Sequence, residues 1–467
     1  MGFARMEPLS LAVAILAGPA PVAPARLVQL LSASKKRRCG RGPLSSSPDA
    51  ISEGWMEMVR QELIDRSTEL AKTPMRERIA NMKEALTAAG DEAQELRRLP
   101  DWASKEMAAA GIYRIAMPKE LGGEDMHARG QIETIEAACA IDGSVGWCVQ
   151  INSEINALVL RRMDPAFAHE ICDDWDFLVC SGLGSPNGEF PGRTAKREGD
   201  GWRTTYQGAF ASGCYNATWN LVLNPAAEVV DEDTGEMAQA SFMVPKGEFE
   251  PVDTWNMAGL RGSGSHDVRI VDQHVPEKHV LPLDALASTE HWENPTYRNP
   301  SQVPYNKAAV ALGIARGAVD VFTELATTKT PWMSGTLLKD QPEAYIRLGE
   351  AEATLQAARA FVMETQDEIE ANLGPLEGGR SVPEWPLLRR GLLAATHAAQ
   401  SCRQVVDLIH NTAGTTASRM EHPLERKLRD AHQAAAHGGV SWRNYGNMGK
   451  TYLGEEPPGQ YADVRRA

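Results

Sequence analysis

The stretch "GAFASGCYNATW", residues 208–219, closes a strand pattern inside a β-rich region that has helical regions on both sides. That placement decides the fold class. From about 176 to 285 the segments "GWRTTYQGAF", "WNLVLNPAAEVV", "QASFMVPKG" and "SHDVRIVDQHVP" are short and rich in Val, Thr and aromatics. Gly, Pro, Asn and Asp bound them, as they bound strands. From about 56 to 175 the texture is helical. "ERIANMKEALTAAGDEAQELRRL" spaces Ile79, Met82, Leu86 and Leu96 at helical intervals. "QIETIEAACAIDGSVGWCVQINSEINALVL" reads as two helices broken at Asp142-Gly143-Ser144, with Ser144 as the expected cap of the second. From about 300 to 455 long amphipathic segments return, suited to an antiparallel bundle. The order α, β, α predicts an α+β chain divided into 56–175, 176–290 and 291–467.

Residues 1–55 differ in composition from the rest. "PLSLAVAILAGPAPVAPARL" is apolar and rich in Pro and Ala, and "SASKKRRCGRGPLSSSP" is basic and then Ser/Pro-rich. A charged start and a short apolar run fit a signal peptide. A disordered tail, or an extension upstream of a true start near Met56 or Met58, is the preferred expectation. The apolar run is too short and too broken by Pro for a membrane helix.

The net charge is −14. Without residues 1–55, 41 basic residues face 59 acidic ones, a net of −18. A body this acidic repels a phosphate backbone, so nucleic acid is excluded as the expected partner. The seven cysteines are widely spaced with no CxxC, which fits free thiols in a reducing, cytoplasmic setting and neither a disulfide framework nor a zinc site.

Several residues are candidates for chemistry. In "FASGC", Ser212 is placed to offer a hydroxyl to a ligand, and Gly213 lets a planar group approach the backbone. A plain turn explains the same residues. Cys214 is either a site residue or a small buried apolar one. "NMAGLRGSGSHDVRI", 256–270, has closely spaced glycines before a strand and so is no dinucleotide fingerprint. Arg261 and His266 face either a ligand or solvent there. In "LRDAHQAAAHGGVSW", 428–442, His432 and His437 lie about 140° apart on a helical wheel, which argues against a shared metal. One of the two is expected to face a pocket and handle protons. Glu425 with Arg429, and Arg426 with Asp430, read as helix-face ion pairs.

Taken together, "MPKELGG", "DGSVGW", "FASGCYNATW", "GLRGSGSHDVRIVDQHVP" and "HPLERKLRDAHQAAAH" resemble the acyl-CoA dehydrogenase superfamily over about 75–455. The resemblance implies an N-terminal helical domain, a central β-barrel-like domain and a C-terminal four-helix bundle. It also implies a homotetramer and a flavin between the β-domain and the bundle. Within the superfamily, "FASGC…W" and "RDxHxxxxH" are similar to the oxygenase component of two-component flavin-dependent monooxygenases. Such enzymes take reduced FMN or FAD as co-substrate from a separate flavin reductase. They use O2 through a C4a-hydroperoxyflavin to hydroxylate aromatic or polycyclic small molecules.

On that resemblance Ser212 lies at flavin N5, where a hydrogen bond retains the N5 proton, and His432 or His437 manages the protons of the peroxide. Trp147, Phe210, Ala211, Ser212, Gly213, Arg261 and Ser263 contact the flavin. Asn152, Asn156 and Cys214 meet the substrate, because "CVQINSEINAL" lacks the histidine that phenol hydroxylases carry there. A dehydrogenase would need a carboxylate base. Gly438 stands where one commonly falls, and "SQVPYNKAAVALG" has no acid. An acyl-CoA dehydrogenase with FAD and an unidentified base is the alternative, and a non-catalytic flavoprotein of the same fold comes third. No metal and no membrane are expected.

Overall fold

The computed structural model describes residues 53–186, 192–224, 226–281, 294–373 and 383–456. Most of the expectation for residues 1–55, and Cys39 with it, lies outside the described residues. The N-terminal helices are α1 (Glu53–Ala71), α2 (Met75–Asn81), α3 (Lys83–Leu96), α4 (Asp101–Ala109), α5 (Ala128–Ile141), α6 (Gly143–Leu160) and α7 (Pro165–Cys172). Helices α5 and α6 break at Asp142, as the sequence suggests, but the cap differs. The Asp142 carboxylate accepts from the backbone N–H groups of Ser144 and Val145, at 2.9 and 3.0 Å. A capping side chain must stand before the first turn to reach those groups. Ser144 is already within that turn, and its Oγ instead accepts from Gly262 N at 3.0 Å.

The strands are β1 (Val179–Cys180), β2 (Thr194–Glu198), β3 (Gly201–Ala211), β4 (Trp219–Val222), β5 (Val230–Asp231), β6 (Ser241–Pro245), β7 (Glu250–Val252), β8 (His266–Pro276) and β9 (Val280–Leu281). They form one sheet in the order β1-β4-β6-β9 and another in the order β5-β2-β3-β8-β7. Tyr206, Val222, Phe242, Val244, Val268 and Ile270 fill a shared core. The long antiparallel pair β3–β8 runs from Gly201 opposite Pro276 to Ala211 opposite His266, with a register shift between Gly208 and Ala211. Phe210 takes a φ of +68° in that shift, which turns the strand end out of the ladder. Gly213 follows with a φ of +73°, and a Cβ there would stand 2.9 Å from Asn152 Oδ1. The conformation and the close approach to α6 both require glycine.

The C-terminal helices are α8 (Gln302–Thr328), α9 (Pro342–Ala371), α10 (Trp385–Ala413), α11 (Pro423–Ala435) and α12 (Arg443–Tyr452). Helix α8 packs on α5 as well as on α9, α10 and α11. That explains why its run from Tyr305 to Ala315 is buried on every side. Ile135, Val145, Val310, Leu312, Val362, Val405 and Leu424 share one core. No helix among the described residues is long and apolar enough to cross a membrane.

Candidate active site

Trp147 on α6 is the pivot of the site. Its indole Nε1 donates to Ser212 Oγ at 3.0 Å, just past the end of β3. Ser212 Oγ also lies 2.6 Å from Ser265 Oγ, and Ser265 Oγ lies 2.7 Å from Ser263 Oγ. All three hydroxyls are buried. An indole N–H can only donate, so it takes one acceptor position of Ser212. Ser265 takes a second of the three hydrogen bonds a hydroxyl can make. One remains for a ligand.

The His437 ring meets the same indole edge-on, with centroids 5.6 Å apart. Burial, then the charge of Lys307, pushes its pKa down to about 3. It is therefore a neutral imidazole at pH 7. Its Nδ1 accepts from Gly439 N at 3.1 Å, which puts the ring proton on Nε2. His437 follows the last turn of α11, and its position answers which histidine joins the others. His432 does not. It is exposed, bonds Asp407 Oδ1 at 2.8 Å, and lines a surface cavity of about 410 Å³ with Ala258, Gly259, Leu428, Arg429 and Gln433.

The other expected site residues divide. Phe210 is exposed beside Ser212 and sets its ring edge-on to Trp255. Ala211 is buried under it. Ser263 belongs to the hydroxyl chain. Arg261 is fastened elsewhere, by Gln94 O at 2.8 Å and Asn256 Oδ1 at 3.0 Å. His266 is a buried structural residue whose Nδ1 accepts from Thr254 N and Trp255 N, both at 3.1 Å. Cys214 is buried, with its thiol against Gly264 O at 3.5 Å and pushed up to about 12 by burial.

Asn152 and Asn156 both engage β1, and Asn152 also lies beside the site, its Nδ2 3.5 Å from Ser212 O. Asn152 Nδ2 donates to Val179 O at 3.0 Å, and Asn156 Oδ1 accepts from Val179 N at 2.9 Å. They tie α6 to β1. Helix phase is the reason. Trp147, Gln150, Ile151 and Glu154 are three or four residues apart and share a face, so the asparagines fall on the other one.

On the Trp147 face lies a cluster that sequence reasoning passed over. Glu154 pairs with Lys307 of α8 at 3.0 Å, and both are buried. The Lys307 ammonium stands 5.8 Å from the Trp147 ring centroid. Burial lowers the pKa of Lys307, and the charge of Glu154 opposes that shift. The signal was present. Asn306 and Lys307 stand in "SQVPYNKAAVALG", a stretch without an acid, and their acid partner is on another helix.

Helix α11 fixes these parts to one another. Arg426 reaches back to Asp142 Oδ2 at 2.9 Å, and Lys427 Nζ donates to Ala140 O at 2.8 Å. Asp430 Oδ1 accepts from Leu260 N at 2.6 Å. The expected Arg426–Asp430 pair is thus replaced by tertiary contacts, while Glu425–Arg429 forms, at 2.7 Å. Burial, then the charge of Asp142, pushes Asp430 up to about 7. Between pH 4 and 7 the native state therefore holds a proton that the unfolded chain has lost. Stability falls as pH rises through that window, by at most about 1.4 kcal/mol per pH unit from this group. Asp430→Asn keeps the acceptor for Leu260 and flattens that dependence. Urea midpoints from pH 5 to 8 would show it, and parallel slopes for the two proteins would refute it.

The residues fit a flavin. A buried hydroxyl with one hydrogen bond unspent, at a strand end that a planar group can approach, suits the edge of its central ring. Among the described residues no group of three or more His, Cys, Asp or Glu is placed to hold a metal ion.

Comparison with known proteins agrees. The family described as "Acyl-CoA dehydrogenase, C-terminal domain" matches residues 305–442. The oxygenase component of the FADH(2)-dependent resorcinol hydroxylase of a Rhizobium species is 26% identical, over 82% of this chain and 95% of its own length. The flavin-dependent monooxygenase oxygenase subunit HsaA of Rhodococcus jostii is 28% identical, over 77% of this chain and 93% of its own. The crystal structure of the HsaA monooxygenase from M. tuberculosis superposes with a TM-score of 0.71 at 24% identity, covering 83% of this chain and 98% of that one. The chain has the acyl-CoA dehydrogenase-like fold, and by sequence it is a relative of the oxygenase components of flavin-dependent monooxygenases.

Proposed function

We propose that this chain is the oxygenase component of a two-component flavin-dependent monooxygenase. It takes reduced FMN or FAD from a separate reductase and hydroxylates an aromatic or polycyclic small molecule. The bound flavin supplies two electrons to O2, so that one oxygen atom enters the substrate and the other leaves as water. The observation that carries the reading is the Ser212–Trp147–His437 arrangement. A hydroxyl held by a donor-only indole offers its remaining bond to flavin N5. A neutral imidazole across the same indole keeps an Nε2 proton to give or exchange.

A dehydrogenase base finds less support. Glu154, the carboxylate on this face, is held by Lys307, Asn306 and Gln150 and is not free to take a proton. The names of the relatives support reduced flavin as co-substrate. Homotetrameric assembly and a cytoplasmic location belong to the same proposal. The exposed Trp332, Met333 and Ile346 side chains support the first. The six described cysteines, all free and buried, support the second.

His437→Ala should lower hydroxylated product at least about a hundredfold, the low end of what a positioned proton donor contributes, and His432→Ala should stay within about twofold. Equal losses, measured as product per flavin oxidised, would refute the assignment to His437. The decisive test mixes the protein anaerobically with reduced FMN or FADH2 and then adds oxygen in a stopped-flow spectrometer. A transient absorbance before oxidised flavin appears is expected. Immediate reoxidation, from protein that purifies yellow and is bleached by an acyl-CoA, would return the chain to the dehydrogenases.

A further inference from the structure

Two helix faces oppose one another next to Trp147. Gln150 and Glu154 lie on α6, and Asn306 and Lys307 on α8. Four donor contacts converge on the Glu154 carboxylate: Gln150 Nε2 at 2.8 Å, Asn306 Nδ2 at 3.1 Å, and Lys307 Nζ at 3.0 and 3.2 Å. At most 6% of any of these four residues is exposed. Both carboxylate oxygens are thereby taken, and the lysine is spent on them. Both amides are fixed as well, since flipping either one would aim an oxygen at the carboxylate.

Two atoms are left over. Gln150 Oε1 and Asn306 Oδ1 are buried and have no hydrogen-bond partner. Buried acceptors without donors are costly, so a group that supplies donors there gains what the empty site lacks. At the start of α8, Val303, one turn before Lys307, is exposed and lies beside Gly439, next to His437.

We propose that Gln150 Oε1 and Asn306 Oδ1 form the substrate-anchoring subsite, and that it takes a neutral aromatic bearing an N–H or un-ionised O–H. An anion placed there meets two carbonyl dipoles and the Glu154 carboxylate, and Lys307 has no free charge to offer it. The subsite therefore selects neutral donors over carboxylates and phenolates. It rests on the monooxygenase reading only in that the ligand is called the substrate.

The test is calorimetric titration of the full chain at pH 7, without flavin and again with reduced FMN under nitrogen. The probes are two matched pairs, indole with benzothiophene and phenol with fluorobenzene, and benzoate as the anion. The donor-bearing member of each pair is expected to bind about tenfold tighter. Asn306→Leu, or Gln150→Met should the first variant fail to fold, is expected to close that gap to about twofold by weakening the donor-bearing member alone. Equal affinity within the pairs, tighter binding of benzoate, no binding of any probe, or a gap that survives in the variants would each overturn the subsite. Failure of reduced FMN to bind would instead overturn the flavin reading, and the donor preference measured without flavin would stand apart from it.

Discussion

In Ser212→Ala protein, hydrogen peroxide released per reduced flavin consumed rises about tenfold or more, while the flavin dissociation constant moves by less than about tenfold. The asymmetry follows from what the hydroxyl is proposed to do. As a binding contact it is one neutral hydrogen bond, worth about 1 kcal/mol. As the partner of the N5 proton it decides whether oxygen reaches the substrate or escapes as peroxide. The substitution also leaves the buried Trp147 N–H without its acceptor. Peroxide measured against flavin affinity separates the roles, and unchanged leakage sinks the N5 assignment. Ser265→Ala, which removes the second partner of Ser212 without touching Trp147, should raise leakage by a smaller factor.

Lys307→Met is the substitution expected to cost the most stability. It leaves the buried Glu154 carboxylate with only two amide donors. Breaking a buried pair on one side typically costs about 3–5 kcal/mol. Replacing both partners, as Lys307→Met with Glu154→Gln, removes the stranded charge and should recover most of that loss. The pair is thus strongly non-additive in a double-mutant cycle. Urea denaturation of the four proteins measures it. A single-variant loss below about 1 kcal/mol, the scale of an exposed pair, would mean that water reaches the carboxylate.

The fold was legible because its signals are local. Strand composition around "GAFASGCYNATW", the break at Asp142, and the long apolar spacing of α8 and α10 each report one element without reference to another. Ser212, Trp147 and Ser263 were legible as candidates because they stand in motifs. What stayed hidden depended on helix phase and on partners far away in the chain. Asn152 and Asn156 look like ligand groups in "CVQINSEINAL", yet a turn of about 100° per residue sends them to β1 and brings Gln150 and Glu154 to the Trp147 face. Arg426 and Asp430 have ideal spacing for pairing with each other. Tertiary partners at Asp142 and Leu260 took them instead, because a buried backbone N–H and a buried carboxylate are more costly to leave unmet than an exposed helix pair is to forgo. Ser265 stands in the same stretch as Ser263, and only its place between two other hydroxyls singles it out.

The grip of α11 on Asp142, Ala140 and Leu260 also restricts how this chain can change in length. Its teeth at Arg426, Lys427 and Asp430 engage two separate segments at once, the α5–α6 junction and the loop at Leu260, and His437 is set by the residues that follow. A single insertion between Pro423 and His437 would rotate everything beyond it by about 100° and advance it by about 1.5 Å. The teeth and the imidazole could then not both engage. Relatives that keep this site should therefore vary here by substitution and never by insertion or deletion. The turn at Trp332 and Met333 is free of this constraint, and its length is limited instead by the assembly that its exposed side chains are proposed to join.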